Sequence, residues 1–532
     1  AFLPALLLMV LRGAILIGSP GCWRRTAAGA VTTAVTIPCM TETWLSFMLH
    51  TRWSDRIIRL IADTNPGESG EFLNLYLFTP KSAGIIIGYL ATVRILYVIL
   101  KYAGHKLRLT ESASGFGVRR WIGIIMIAAG IVWWSLPAEN NYNAENSLNT
   151  FRRLHKMLAV HNRTLKNIKA LEKTPSLADG RMKDDEPAPE HIIWVIGESD
   201  SKAHWSLYGY SRSTTPEMER LADEGNLLKY EDVICFEPRT YRMMEILFTP
   251  YVVREHSSRY LKTPLTPMIL RKAGYKVRLH DNQATLVRGD DQAEVGTSNF
   301  MNSRVLSKAN FDYRNELMYT YDMDLIEAGL RIMDKDRSSG TPTMDIFHLN
   351  GQHFSAANRY PEGFGKFTAA DYSDRKELSS GERGQVAAYD NATLYVDRVL
   401  SRLMEAMKEE DAVIIYHPDH GEEMNDERHC HVRTMDSHKL PQSAPYVLEI
   451  PFLVYTTPLF RERHPDLYSR LQGAAAEKQS LIYFSHFLLD VAGVESKYKR
   501  PEYSPLSPQW SRPSRIVKEI GNYDRWKEKH IK

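Results

Sequence analysis

The segment His191-Ile-Ile-Trp-Val-Ile-Gly-Glu-Ser199 decides the fold, because a short apolar run stops at a glycine and is followed at once by a carboxylate. Three later runs have the same form, and they are Met344 to Leu349, Ala412 to Tyr416 and Pro451 to Tyr455. Runs of this length are typical of strands that are buried on both faces of a sheet. Helical patterns lie between them, for example over Thr214 to Glu224 and Ala387 to Lys408. The sequence therefore predicts an α/β sheet with mixed or parallel pairing.

Polar residues follow the carboxyl ends of these predicted strands, where ligands gather in open α/β sheets. They are Glu198 after the first run, His353 after the second, Asp419 and His420 after the third, and then His429, Cys430, His431 and His438. Carboxylates and imidazoles are the ligands that zinc or manganese binds in proteins. A single residue of this kind is more often structural, but their shared position at strand ends favours a metal site.

The composition is that of an ordinary globular protein with an apolar beginning. The length of 532 residues predicts roughly two to four domains. Charged residues make up 25% and hydrophobic residues 43%, which excludes intrinsic disorder for most of the chain. The formal net charge of +3 argues against a globally basic nucleic-acid-binding protein. Four cysteines exclude a disulfide-built scaffold and a multi-cysteine zinc module.

Apolar segments in the first quarter of the chain predict an N-terminal helical transmembrane domain. Ser82 to Leu100 is long enough to span a membrane as a helix, and Trp121 to Leu136 has tryptophans at both ends, as membrane interfaces favour. Phe2 to Ile17 and Ala27 to Leu49 are weaker candidates, for which a buried soluble helix is the alternative.

Basic loops predict the orientation of these helices. Lys101 to Arg120 and the pair Arg24 and Arg25 are cytoplasmic under the positive-inside rule, which places the chain after Leu136 in the periplasm of a bacterium. The same rule places Ala1 outside, so we expect a further span upstream. The predicted organisation is a transmembrane domain over 1–137, a bridging amphipathic helix and linker over 138–190, and a periplasmic catalytic domain over 191–532.

A series of motifs resembles those of the bacterial phosphoethanolamine transferases that modify lipid A and the lipopolysaccharide core. In chain order they are Thr64-Asn-Pro-Gly-Glu68, Ile196-Gly-Glu-Ser199, Leu207 to Pro216, Ala273-Gly-Tyr-Lys276, Asp281-Asn-Gln283, His348 to His353, Tyr389-Asp-Asn391, Asp419-His-Gly-Glu422 and Glu449-Ile-Pro-Phe452. The resemblance covers nearly the whole chain. It implies membrane helices in the inner membrane followed by an α/β soluble domain of the alkaline phosphatase/sulfatase type.

The resemblance also implies the reaction and its residues. Phosphoethanolamine passes from phosphatidylethanolamine to a lipopolysaccharide acceptor, either a core sugar or lipid A, through a phosphothreonine. One or two Zn²⁺ ions are implied, with Glu198, Asp419, His420 and the nucleophilic threonine as ligands. The best match for that threonine is Thr240, in Glu237-Pro-Arg-Thr240-Tyr before a predicted helix, and Thr249 and Thr215 are its rivals. Zinc coordination activates such a hydroxyl, and a helix start supplies amide donors to a phosphoryl group.

Further residues are implied as contacts to the substrates. His353 and a second histidine, for which we favour His431 over His429 and His438, match residues near the phosphate or a second metal. Thr64 and Glu68 match residues near the ethanolamine head, and Arg288 is a weak match for a basic residue near the phosphate. The chain departs from the family pattern at two positions, with Leu60 where an asparagine is usual and Pro418 where a small hydroxyl residue is usual.

Three other functions remain open at this stage. A membrane-bound sulfatase requires Cys-x-Pro-x-Arg, whereas Cys235-Phe-Glu-Pro-Arg239 has its proline one position late. A phosphoglycerol transferase of the same superfamily differs in its donor lipid. A non-catalytic protein that binds envelope lipid is supported by Leu60 and Pro418 alone and is distinguished by its zinc content. The sequence leaves the acceptor open, whether lipid A, a core sugar, another envelope glycan or a protein, and also whether Cys235 pairs with Cys430.

Overall fold

The computed structural model describes most of the chain after residue 170 and two helical segments before it. The described residues are 24–48, 72–106, 170, 172–184, 187–252, 263–283, 304–335, 340–427, 441–518 and 520–531. By its internal contacts the chain divides into two compact units, Ala1–Lys166 and Asn167–Lys532. The predicted bridging helix in 138–190 falls mostly outside the described residues and stays a prediction.

The described part of the first unit is helical. Helix α1 covers Arg24–Met48 and helix α2 covers Pro80–Lys106, preceded by a short π-helix at Leu73–Leu77. The indole of Trp44 donates a hydrogen bond to the Ser82 hydroxyl at 2.6 Å, which joins the two helices. Eight large apolar side chains on the described parts of these two helices are exposed, with Ile87 at 66% and Phe47 at 60%.

The predicted spans Ala27 to Leu49 and Ser82 to Leu100 are therefore found as helices, but their membrane-spanning character is not confirmed. Among the described residues, none of the helices combines the length and the apolar character needed to cross a membrane. Pro38 and Glu42 lie inside α1, and Arg94 lies inside α2. The predicted spans Phe2 to Ile17 and Trp121 to Leu136 lie outside the described residues.

The second unit is built on a seven-stranded mixed sheet. Its strands are β2 His191–Gly197, β3 Leu227–Lys229, β5 Lys276–Asp281, β6 Tyr313–Arg314, β7 Thr343–His348, β8 Ala412–Pro418 and β10 Leu453–Thr456. They are arranged in the order β3-β10-β8-β2-β7-β5-β6. The shorter pairings involve β1 Arg181–Met182, β4 Val233–Ile234, β9 Glu449–Ile450, β11 Gln479–Ser480, β12 Val494–Glu495, β13 Ile516–Val517 and β14 Gly521–Asn522.

Helices cover both faces of this sheet. They are α3 Pro216–Asp223, α4 Thr240–Leu247, α5 Thr266–Lys272, α6 Arg304–Asn310, α7 Asp322–Met333, α8 Ser380–Met407, α9 Ala444–Leu448, α10 Pro458–Arg463, α11 Pro465–Ala474, α12 Phe484–Val491 and α13 Tyr523–His530. Along β2, Trp194 packs into one hydrophobic core and Val195 into the other, and every residue of the strand is buried. A strand that is covered on both sides needs apolar residues at every position, which explains the continuous run in the sequence.

The strands and helices predicted for the α/β domain are found, and the pairing in the main sheet is mixed, one of the two arrangements that the sequence left open. Strands β2, β5, β7 and β8 run parallel to one another, as the α/β pattern predicts. Strand β10, from the predicted run Pro451 to Tyr455, pairs antiparallel with β8 and with β3. The parallel pairing of β2 with β8 brings Gly197 opposite Pro418, so the residues that follow these two strands emerge side by side.

Candidate active site at the carboxyl ends of the central strands

Glu198 lies directly after β2 and is completely buried. The next residue, Ser199, has a left-handed backbone conformation with φ of 57°, which turns the chain sharply away from the strand. This conformation is held by the hydroxyl of Tyr389, which donates to the Ser199 carbonyl at 2.5 Å, and by the Ser199 amide, which donates to Asp419 Oδ1 at 3.4 Å. A strained residue of this kind is typical of a functional turn. The Ser199 hydroxyl also donates to Glu198 Oε1 at 2.7 Å.

Asp419 and His420 follow β8 and are also completely buried. The Nδ1 atom of His420 lies 2.8 Å from the carbonyl oxygen of Gly421. Because a carbonyl oxygen only accepts hydrogen bonds, Nδ1 carries a proton, and in the neutral form of the ring Nε2 presents a lone pair. That Nε2 atom lies 3.2 Å from Asp419 Oδ2 and 3.5 Å from Glu198 Oε1.

Thr240 is the first residue of α4, and its side chain reaches this cluster. Its hydroxyl donates to Glu198 Oε2 at 3.0 Å and lies 3.4 Å from His420 Nε2. Neither rival threonine, both of which are described residues, has a hydrogen bond to Glu198 or His420. Thr249 accepts a hydrogen bond from the Tyr251 amide, and Thr215 accepts one from the Leu207 amide within a turn. Thr240 is therefore the threonine that the fold brings to the strand ends.

The cluster fits a divalent metal ion on chemical grounds. Glu198, Asp419 and His420 offer ligand atoms that all lie within 4.8 Å of one another. Two carboxylates and an imidazole lone pair, all acceptors, converge in a buried place, and a cation between them relieves their mutual repulsion. Three protein ligands of the N and O type with a hydroxyl nearby suit zinc with one open position.

Two contacts around Glu198 were not assigned a role from the sequence. The side-chain amide of Gln283, on the loop after β5, donates to Glu198 Oε2 at 3.1 Å and to the Leu349 carbonyl at 2.7 Å. Gly351 has a φ of 51°, and a Cβ atom there would come within 2.8 Å of the Glu198 backbone nitrogen. Gln283 belongs to the motif Asp281-Asn-Gln283 and follows the carboxyl end of β5. That position at a strand end is the sequence signal for a residue of the site.

The other predicted contacts are only partly visible. His353 lies on the loop after β7, is half-buried, and its Nδ1 atom is hydrogen-bonded to the Phe354 carbonyl at 3.0 Å. The remaining predicted residues, Thr64, Glu68, Arg288, His429, His431 and His438, lie outside the described residues. Their roles therefore stay predictions.

Two buried titratable side chains, Asp200 and His204, lie in the loop after β2 that carries part of the site. Burial raises the pKa of Asp200 to about 7, although hydrogen bonds from Tyr416 and Trp205 act in the opposite direction. Burial alone would lower the pKa of His204, but Asp426 and Asp390 raise it to about 10. His204 is therefore a cation at neutral pH. Its Nδ1 atom lies 2.6 Å from Asp390 of α8, and its Nε2 atom faces Asp426 of the loop after β8, so it joins these two segments.

Cys235 is a free, fully buried thiol that donates to the Val447 carbonyl at 3.4 Å. Burial raises its pKa well above the ordinary value, so it is not poised as a thiolate. Its proposed partner Cys430 lies outside the described residues. The residue at the cluster is Thr240 rather than Cys235, which disfavours the sulfatase alternative.

Comparison with known proteins agrees with this geometry. The sulfatase family model matches residues 190–494. The phosphoethanolamine transferase EptC of Escherichia coli K12 is 26% identical over 483 residues, which cover 87% of this chain and 79% of the relative. This relative confirms the resemblance to phosphoethanolamine transferases that the motifs predicted.

Two solved structures show the same fold. The C-terminal periplasmic domain of Escherichia coli EptC, in a crystal structure with Zn, is 26% identical with a TM-score of 0.55 and covers 65% of this chain and 96% of that domain. The integral membrane protein lipooligosaccharide phosphoethanolamine transferase A (EptA) of Neisseria meningitidis is 16% identical with a TM-score of 0.56, covering 95% of this chain and 97% of that one. Because the family match extends over more than half of its residues, the chain belongs to the sulfatase family.

Proposed function

We propose that this chain transfers phosphoethanolamine from phosphatidylethanolamine to a lipopolysaccharide acceptor, with Thr240 as the nucleophile and Glu198, Asp419, His420 and Thr240 as zinc ligands. The observation that carries the proposal is the contact of the Thr240 hydroxyl with both Glu198 and His420, at the start of a helix. The relatives named phosphoethanolamine transferases support the choice of transferred group.

Zinc, when bound, supplies a Lewis acid that lowers the pKa of the Thr240 hydroxyl and offsets charge on the phosphoryl oxygens. The chain's own residues orient the reaction. Glu198 Oε2 accepts the hydrogen bond of the Thr240 hydroxyl, which fixes the direction of its lone pairs. Thr240 is the first residue of α4, and the side chain of the N-cap residue Arg239 does not cap this helix start, so the positive end of the helix favours a phosphoryl group carried on Thr240.

The reaction consists of two displacements at phosphorus. In the first, the Thr240 hydroxyl gives up its proton and Oγ1 forms a bond to the donor phosphorus, while the bond from phosphorus to the diacylglycerol oxygen breaks and that oxygen takes up a proton. In the second, an acceptor oxygen forms a bond to the same phosphorus, gives up its proton, and the bond to Thr240 breaks. Thr240 regains a proton, so the enzyme returns to its starting state.

The first unit fits a role beside the lipid donor. Ten exposed large hydrophobic residues lie on its described segments, and they are Ile37, Phe47, Leu73, Phe78, Ile87, Leu90, Ile95, Val98, Ile99 and Tyr102. Apolar side chains in such density require an apolar environment. We propose that this unit contacts the lipid of the inner membrane, that the second unit lies in the periplasm, and that Thr64 and Glu68 contact the ethanolamine head.

The test uses the purified full chain with a fluorescent phosphatidylethanolamine and, in a parallel arm, a fluorescent phosphatidylglycerol. We expect labelled diacylglycerol from the first lipid, phosphoethanolamine on Thr240 by mass spectrometry, and a loss of at least about 1000-fold in Thr240→Ala with zinc retained. Thr249→Ala is the matched control and should keep its activity.

Each contrary result has a distinct meaning. Release from phosphatidylglycerol alone would identify a phosphoglycerol transferase. Full activity in Thr240→Ala would refute the nucleophile assignment. A protein that binds no zinc and releases no diacylglycerol would be the non-catalytic lipid-binding protein.

A further inference from the structure

A second charged cluster surrounds the start of α4, immediately before Thr240. The carboxylate of Glu237 is completely buried and is contacted by three cations. Arg239 Nη2 lies at 2.6 Å, Lys518 Nζ at 3.2 Å and Arg242 Nε at 3.4 Å. Together with Glu237 we call Arg239, Arg242 and Lys518 the basic cluster.

The backbone ties this cluster to the nucleophile. Arg239 is the residue before Thr240 and caps α4, while Arg242 lies in the first turn of the same helix. Lys518 comes from the segment after β13, and its amide donates to the Phe236 carbonyl at 3.3 Å. Two of the three cations are therefore within two residues of Thr240 in the sequence. The third, Lys518, is held by its backbone to Phe236, which precedes Glu237.

The cluster carries more positive than negative charge and is open toward solvent. Glu237 neutralises one of the three cations, and Arg242 also pairs with Glu245. The exposed fraction of the side chain rises from 0% for Glu237 to 12% for Arg239, 27% for Arg242 and 43% for Lys518. Burial lowers the pKa of Lys518, and Arg239 and Arg242 lower it further, although Glu237 acts in the opposite direction. This crowding of positive charge is what an added anion would relieve.

We propose that the basic cluster is an anion-binding subsite for the acceptor, which holds a phosphate or carboxylate next to the oxygen that attacks the phosphothreonine. The proposal rests on the function proposed above. The buried Glu237 keeps the cationic heads in place before the anion arrives, so that little side-chain entropy is lost on binding. Guanidinium groups suit such anions because they donate several hydrogen bonds in one plane.

The donor is a poor occupant of this subsite. Its phosphate becomes the group on Thr240, and the only other charge of its head is an ammonium, which three cations repel. An acceptor with additional phosphates or sugar-acid carboxylates has the opposite charge. The cluster therefore distinguishes the two substrates that use Thr240 in turn.

The experiment compares the two half-reactions in Lys518→Gln and Arg242→Gln, in the full chain with zinc content measured. The matched controls are Lys478→Gln, which pairs with Asp524, and Arg220→Gln, which pairs with Glu217 and Glu224 on α3. The acceptor is rough-type lipopolysaccharide, used intact and after removal of its phosphates with hydrofluoric acid, which leaves the sugar-acid carboxylates in place. Lys518→Arg tests rescue of the charge.

We expect the acceptor KM to rise roughly tenfold in both glutamine variants, several times more than any change in diacylglycerol release. If the effect disappears with the dephosphorylated acceptor, the anion is a phosphate, and if it persists, the anion is a carboxylate. Lys518→Arg should stay within about threefold of the wild type.

Two results would overturn this inference while the proposed function stands. One is a change no larger than in the controls, and the other is an equal loss in both half-reactions, which would assign the cluster to positioning of Thr240. Absence of diacylglycerol release by the wild-type protein would instead overturn the proposed function, and the acceptor subsite with it.

Discussion

Two buried glutamates belong to the surroundings of Thr240, the proposed nucleophile, and their own neighbours are opposite in charge. Glu198 lies beside Asp419 and a histidine lone pair, so negative charge and acceptor atoms gather where a cation fits. Glu237 lies among Arg239, Arg242 and Lys518, so cations gather where an anion fits. The same type of side chain therefore belongs to a proposed metal site in one place and holds a group of cations together in the other. Neighbours that come from distant segments decide which of these roles it has.

The largest effect is expected when each of the two glutamates is replaced by glutamine in turn. Glu198→Gln removes a proposed ligand, and we expect zinc affinity to fall by more than the roughly 10- to 100-fold that outer contacts contribute, with loss of transferase activity. Glu237→Gln should keep its zinc. Metal content after dialysis against a graded chelator measures both. Equal zinc loss in the two variants would contradict the distinction between the clusters.

A smaller effect is expected when the group that orients Glu198 is removed. Gln283→Met keeps the volume of the side chain but removes the amide that donates to Glu198 Oε2, so zinc affinity should fall roughly 10- to 100-fold. Gln472→Met, at an exposed position of α11, is the matched control. The readout is a competition titration with a zinc indicator. Unchanged affinity would show that Gln283 does not support the cluster.

The smallest effect concerns the stability of the basic cluster and its dependence on pH. Burial by itself raises the pKa of Glu237, but Arg239, Lys518 and Arg242 outweigh it and hold the pKa below the ordinary value of 4.5. A carboxyl group with a lowered folded pKa stabilises the fold above its unfolded pKa, and this stability is lost as the pH falls through the folded value.

Glu237→Gln should therefore lower the free energy of unfolding by about 1–3 kcal/mol at pH 7. The difference from the wild type should shrink as the pH falls below 4.5. Denaturant unfolding of the full chain at several pH values measures it, with Glu245→Gln as a half-buried control on the same helix. A difference that is constant down to pH 3 would contradict the charge argument.

Much of the fold and part of the site followed from the sequence. The runs that became β2 and β8 are apolar at most positions because both faces of the sheet are covered, whereas β7 also contains Asp345, which is buried and paired with Arg278. The carboxyl end of a parallel strand is a ligand position, so Glu198, Asp419 and His420 were found by place and residue type. The assignment of Thr240 depended on the family resemblance, since three threonines had comparable local patterns.

Other features had no local signal. The antiparallel direction of β10 is set by its neighbours, because a short apolar run carries no information about direction. The membrane-spanning character predicted for α1 and α2 rested on apolar length alone and is not confirmed among the described residues. Lys518 is one of several lysines in the C-terminal segment, and nothing around it in the sequence points to Glu237.

By itself the sequence determined the kinds of element, the residues at their ends and the chemistry those residues offer. Periodicity and residue type are local properties, and they persist wherever the segment is placed. The tertiary structure alone decided which groups meet, such as Gln283 with Glu198 across 85 residues and Thr240 with His420 across 180. These long-range contacts depend on the order of the strands and on the packing of the helices over the whole domain. Both result from burying two apolar cores on the two faces of one sheet.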